Sequence, residues 1–160
     1  MSDAQQELRQ TLGCFATGVT VITTLGGGGK PVGLTASSFN SVSLDPPLVL
    51  FSLKRTAFSL REFLSADTFA VNVLREDDED LSNRFAKSME DKFDGVDYET
   101  WDTGCPILPS ALASFECNIR YTYDGGDHVI FVGEVTRMSA DPGGRPLLFY
   151  GGKYRAIDEA

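Results

Sequence analysis

The sequence predicts a mainly β domain, an antiparallel barrel with a few helices at its periphery. Three observations lead there. Short apolar runs of strand length recur through the 160 residues, 16 glycines and 7 prolines punctuate them, and few stretches show helical spacing.

Taken in order, Ser2 is placed to cap a first helix that runs to about Phe15, with Leu8, Leu12 and Phe15 on one face. Gly18 ends that pattern, and residues 19–25 read as a strand. The four glycines 26–29 make a flexible hairpin connection. They fit neither the dinucleotide fingerprint nor the phosphate-binding loop, because Pro31 follows Gly29-Lys30 where Ser or Thr is required. Residues 32–43 form a second strand. Residues 48–53 form a third, continuously apolar and suited to burial on both faces. Thr56 is placed to cap a helix over residues 58–64, and residues 69–74 return as strand. The acidic run Glu76-Asp77-Asp78-Glu79-Asp80 suits a helix N-terminus and reads as a solvated helix start. Leu81, Phe85 and Met89 then share one side of that helix. Beyond Gly95 the chain is β-rich, with strands at residues 96–101, 113–123, 129–138 and 147–150. Asp124-Gly125-Gly126-Asp127 has hairpin chemistry. No repeat, linker or low-complexity segment interrupts the chain, so residues 1–160 are expected to form one domain.

Composition excludes several classes. A net charge of −9 disfavours nucleic acid or an anionic membrane as partner, since both demand a basic footprint. The same charge repels dinucleotide phosphates at long range, so a nucleotide site needs local cations or backbone N–H donors. No apolar run is long enough to span a bilayer, and the polar start Met1-Ser2-Asp3-Ala4-Gln5-Gln6 lacks a signal peptide's character. Cys14, Cys105 and Cys117 are odd in number and scattered, which predicts reduced thiols and a cytoplasmic location. With His128 as the single histidine, a His-rich metal site is excluded and no metal is expected. Trp101 and Cys117 are expected in the core.

The stretch Gly33-Leu34-Thr35-Ala36-Ser37-Ser38-Phe39-Asn40-Ser41-Val42-Ser43 breaks the strand rule. Strand interiors favour branched and aromatic residues, yet this one carries five small hydroxyl side chains before the sharp turn Asp45-Pro46-Pro47. Such side chains leave room beside the main chain and each offers a donor and an acceptor, which suits a flat, polar-edged ligand. A solvated face on an edge strand accounts for the same pattern.

That segment, with Phe15-Ala16-Thr17-Gly18-Val19-Thr20-Val21-Ile22-Thr23-Thr24 before it, resembles the short-chain flavin reductase family. Further matches follow in the family's order: Phe69-Ala70-Val71-Asn72-Val73-Leu74, Leu81-Ser82-Asn83-Arg84-Phe85-Ala86, Gly126-Asp127-His128 with Ile130-Phe131-Val132-Gly133-Glu134-Val135, and Pro146-Leu147-Leu148-Phe149-Tyr150. The resemblance implies a Greek-key split β-barrel of the FMN-binding type, working as a homodimer. It implies reduction of FMN or FAD by NADH or NADPH, with the reduced flavin passed to a partner monooxygenase. A flavin carrier or sensor, or a reductase of a cobalt corrinoid or ferric chelate, shares the scaffold.

Residue by residue, the resemblance places Thr35, Ala36, Ser37 and Ser38 along the flavin ring and ribityl chain, with Ser41, Val42 and Ser43 continuing that wall. Ser52 and Lys54 alternate on one face of the third strand and are expected at the flavin phosphate, with Ser59 adding a donor. Arg84 and Phe85 match the position that closes over phosphate or adenylate. His128 is expected beside the nicotinamide, with Asp127 fixing its tautomer, and Gly152, Lys153 and Tyr154 border the same site. The segment Lys54-Arg55-Thr56-Ala57 follows the family pattern only loosely, which leaves FMN against FAD open.

Overall fold

The computed structural model describes residues 2–89 and 91–157. Helix α1 (Asp3–Leu12) precedes β1 (Thr17–Gly18), β2 (Thr20–Leu25), β3 (Pro31–Ala36), β4 (Asn40–Leu44) and β5 (Pro47–Lys54). Helix α2 (Leu60–Ser65), β6 (Thr68–Val73) and α3 (Glu79–Ala86) follow. The remainder is strand: β7 (Glu99–Thr100), β8 (Pro106–Ile107), β9 (Ala113–Gly125), β10 (His128–Ala140), β11 (Leu148–Tyr150) and β12 (Lys153–Arg155).

Seven strands form one antiparallel sheet in the order β3-β2-β6-β9-β10-β5-β4. Its two edges, β3 and β4, are consecutive in the chain. The polypeptide therefore leaves one edge of the sheet and enters the other through only Ser37-Ser38-Phe39, which curls the sheet into a barrel. At that seam the Ser38 hydroxyl donates to the Ser52 carbonyl at 3.1 Å and accepts from the Ser52 N–H at 2.9 Å. A side chain thus supplies the rung that two backbones would otherwise make.

The barrel core is aromatic. Phe51 and Phe131, opposite each other on β5 and β10, stack at 5.0 Å, and the edges of Phe63 and Phe69 meet the Phe51 ring. All four are fully buried, each worth roughly 1.5–3 kcal/mol of transfer free energy. Gly133 makes room for them, since a Cβ there would lie 2.4 Å from the Phe69 ring. A second cluster, containing Val21, Leu74, Phe85, Phe93 and Leu147, joins α3 to the outside of the sheet.

Several expectations are corrected. The strand expected over 32–43 is two strands, because the chain must turn at 37–39 to close the barrel. The third strand is not buried on both faces: Val49, Phe51 and Leu53 point inward while Leu48, Leu50 and Ser52 are half-covered. Helix α2 begins at Leu60 with Ser59 as its flanking residue, so neither Thr56 nor Phe58 belongs to it. The strand expected over 96–101 shrinks to Glu99–Thr100. Met89 lies beyond the end of α3 and is exposed. Trp101 is half-buried, with the Arg137 guanidinium 4.6 Å above its ring. The first helix forms with the reciprocal Ser2–Gln5 cap, yet Leu8, Leu12 and Phe15 stay exposed. All three cysteines are free, with Cys105 and Cys117 buried. No described helix is long and apolar enough to cross a membrane.

Candidate functional site

The seam of the barrel opens into a cleft with about 840 Å3 of space, part of it open to solvent. Four segments build it. The end of β3 and the turn after it contribute Thr35, Ala36, Ser37 and Ser38. The end of β5 contributes Ser52 and Lys54, and the loop into α2 contributes Phe58 and Ser59. The end of α3 and the loop beyond it contribute Phe85, Lys87, Ser88 and Lys92, and His128 stands at the start of β10. The wall is built from small residues because the strand crossing the seam has no sheet partner along residues 37–39. Hydroxyls replace the missing ladder there.

The electrostatics are local. In a chain carrying 23 acidic and 14 basic side chains, the described residues that line this cleft include three lysines and the histidine and no carboxylate. Backbone closeness is secured at Gly33, where a Cβ would fall 2.7 Å from the Phe85 ring. The Thr35 hydroxyl donates to the Ser82 carbonyl at 2.6 Å and so binds the cleft wall to α3. Ser59 is buried, and its hydroxyl does not cap α2.

His128 faces Lys54 across the β10–β5 ladder. Its Nδ1 lies 2.7 Å from the Asp127 carboxylate. That hydrogen bond holds the Asp127 carboxyl below its ordinary value, with the charge of Lys54 adding to the effect. With Nδ1 engaged, Nε2 is the ring atom left for a ligand. The hairpin that carries His128 is fastened to the end of β5. The Arg55 N–H donates to the Asp127 carbonyl at 2.8 Å, and its guanidinium donates to the Gly126 carbonyl and pairs with Asp124.

Nine of the expected ligand positions, Thr35, Ala36, Ser37, Ser38, Ser52, Lys54, Ser59, Phe85 and His128, converge on this one cleft. Ser41, Val42 and Ser43 do not line it. They lie on the edge strand β4, with Ser41 and Val42 exposed. Arg84 is also outside: its guanidinium donates to the carbonyls of Lys92 and Asp94. Gly152, Lys153 and Tyr154 belong to the β11–β12 hairpin and do not line the cleft. Tyr154 packs edge-on to Phe149, and its hydroxyl bonds Ser82 at 2.7 Å and donates to Asn83 at 3.2 Å. The cleft residues that sequence reasoning missed are Phe58, Lys87, Ser88 and Lys92. Lys92 sits among Asp91, Asp94 and Asp97, a context that reads as solvated charge.

A family model described as flavin reductase like domain matches residues 12–158. The FMN reductase (NADH) SmoA of Agrobacterium fabrum is 46% identical over 149 residues, covering 93% of this chain and 84% of that protein. The reductase subunit HsaB of a flavin-dependent monooxygenase from Rhodococcus jostii is 42% identical over 153 residues, covering 96% of this chain and 78% of that protein. Among solved structures, the NADH:FAD oxidoreductase of Streptomyces globisporus in complex with NAD and FAD fragments superposes with a TM-score of 0.91. It is 42% identical, over 96% of this chain and 93% of that one. Against two relatives from Rhizobium meliloti the chain spans only 42% and 58% of their length.

Proposed function

The chain belongs to the flavin reductase like family, and from that premise we propose that it reduces FMN or FAD with NADH or NADPH and releases the product to a separate monooxygenase component. The observation that carries this reading is the seam cleft, a slot lined by hydroxyls and lysines with a carboxylate-oriented imidazole at its mouth. The names of the relatives agree with it.

The cleft fits the group. Thr35 to Ser38 present small side chains along a slot that would let a flat ring approach the main chain, and Ser52, Lys54 and Ser59 would offer donors for a phosphate. When bound, the flavin would supply a hydride acceptor for a nicotinamide donor. The protein's share is to hold two rings together and keep water out. Phe58 and Phe85 shield the slot. The lysines of the cleft would favour an anionic ring there. His128 orients the nicotinamide through Nε2, with Asp127 fixing the tautomer. No nucleophile or acid–base triad is required. For the β11–β12 hairpin, its bonds to Ser82 and Asn83 make Tyr154 a support of α3, which carries Phe85 into the slot.

The homodimer and the cytoplasmic location belong to the same proposal. Val42 and Leu44, exposed on edge strand β4, offer apolar surface to a second copy, with Leu44 94% accessible. Light scattering during gel filtration tests the dimer.

The deciding experiment is steady-state NADH oxidation with riboflavin, FMN and FAD added in turn. Turnover that rises with free flavin supports the reductase. A yellow protein that binds flavin without oxidising NADH or NADPH would instead be a carrier. His128→Ala is expected to raise the KM for NADH at least tenfold while leaving flavin affinity within about twofold. Equal loss of both would assign His128 a folding role.

A further inference from the structure

Lys92 is the least expected residue in the molecule. It is 9% exposed, and its ammonium donates to the carbonyls of Gly33 at 3.1 Å and Phe85 at 2.8 Å. Two of its three N–H donors are thereby used. No carboxylate among the described residues pairs with it, which is unusual for a buried charge. Burial alone holds its ammonium below the ordinary lysine value.

Its placement is enforced. The Arg84 guanidinium donates to the Lys92 carbonyl at 2.7 Å and also grips the Asp94 carbonyl. Next in the chain, Phe93 is buried edge-on to Phe85 at 4.9 Å. The loop is pinned on both sides of the lysine, so its charge is fixed rather than mobile. Lys92 lines the seam cleft and also a second cavity behind it, bounded by Gly26, Lys30 and Glu62. The two cavities meet at Phe58, Ser59 and Lys92.

We propose that Lys92 receives the phosphate of the bound flavin, its counter-ion being supplied by the ligand rather than by the protein. Arg84, through two bonds to the carbonyls of Lys92 and Asp94, holds the loop that presents this lysine. The inference rests on the flavin reading above and adds to the phosphate donors Ser52, Lys54 and Ser59 a buried cation from the loop after α3. The FMN monoester and the FAD pyrophosphate share the required chemistry, and riboflavin lacks it.

The test is fluorescence titration of wild type, Lys92→Met and Lys92→Arg with riboflavin, FMN and FAD. Lys92→Met is expected to weaken FMN binding about 10- to 100-fold and to leave riboflavin within about threefold, with Lys92→Arg recovering much of the loss. Loss confined to FAD also supports the contact and puts it on the second phosphate. Equal weakening of all three flavins, or no change for any phosphorylated one, overturns it, because a purely structural lysine does not distinguish riboflavin from FMN. A wild type that binds riboflavin as tightly as FMN overturns the Lys92 role while leaving the flavin reading intact. A wild type that binds no flavin at all removes the reading itself. Should Lys92→Met fail to fold, NMR titration of the Lys92 side chain in wild type decides. FMN must raise the pH at which it deprotonates, and riboflavin must not; equal titration with both ligands overturns the contact.

Discussion

Two regions of this barrel bury polar side chains, and they differ in how completely those groups are used. Around Asn72 everything is spent. Its amide nitrogen donates to the Val21 and Pro106 carbonyls, and its oxygen accepts from the Leu108 N–H and the Ser114 hydroxyl. Close by, the buried Glu116 carboxylate accepts from the N–H groups of Asp102 and Thr103 and from the Thr103 hydroxyl. At the seam cleft, by contrast, Lys92 keeps a spare donor, the Ser59 hydroxyl caps nothing and the imidazole of His128 has one engaged nitrogen. Saturated polar groups specify a structure, whereas polar groups with capacity left over wait for something else.

The largest effect should come from breaking the saturated region. Asn72→Ala strands four buried partners at once and is expected to cost about 3–4 kcal/mol of stability. Urea unfolding measures it. Flavin affinity of the molecules that remain folded should not change. If it falls, the two regions are not separable in the way their hydrogen bonding indicates.

Gly33→Ala sharpens the comparison from the cleft side. The new Cβ would press on the Phe85 ring, which is fully buried and can yield only by shifting α3. We expect a loss of about 1–3 kcal/mol together with weaker binding of riboflavin, since the wall itself moves. Loss of stability with unchanged riboflavin affinity would mean that Phe85 yields without moving the wall.

How much of this was legible in the sequence follows the same division. Alternation and turn residues disclosed most of the long strands, because each strand's pattern reflects its own two faces. The break at residues 37–39 was not legible, since it exists only because β3 and β4 must lie on opposite edges of a closed sheet. The hydroxyls of Thr35, Ser37 and Ser38 stood out because local propensity argues against them in a strand. Lys92 gave no such signal. Its burial is created by Arg84 and Phe93 folding a loop of acidic appearance onto α3, and no window of sequence contains that event. Arg84 shows the complementary case: an arginine near a ligand motif suggests an anion, and in the fold two of its donors hold carbonyl oxygens of the Lys92–Asp94 loop.

A smaller effect is expected at the junction of wall and helix. Thr35→Val removes the hydroxyl that donates to the Ser82 carbonyl while keeping side-chain volume, and should cost about 1 kcal/mol in thermal unfolding. The Tyr154 hydroxyl also holds this helix, through the Ser82 hydroxyl, so Tyr154→Phe is expected to lower thermal stability further when combined with Thr35→Val. Strict additivity of the pair would show that α3 is rigid without them.

The mildest test concerns pH. Burial, with Cys105 and Glu116 nearby, pushes the Cys117 thiol up to about 12, so the folded protein keeps this proton after the unfolded chain, with an ordinary value near 9.0, has lost it. A folded-state value above the unfolded one means stability is intact at low pH and declines as pH rises. Relative to Cys117→Ala, wild type should therefore lose up to about 1.4 kcal/mol per pH unit above roughly pH 9. Any constant offset between the two reflects the vacated methyl-sized space and not titration. The same closure predicts that a thiol reagent at neutral pH labels the exposed Cys14 and spares Cys105 and Cys117 until denaturant is added. Labelling of Cys117 in the native protein would show that the saturated side opens as readily as the cleft.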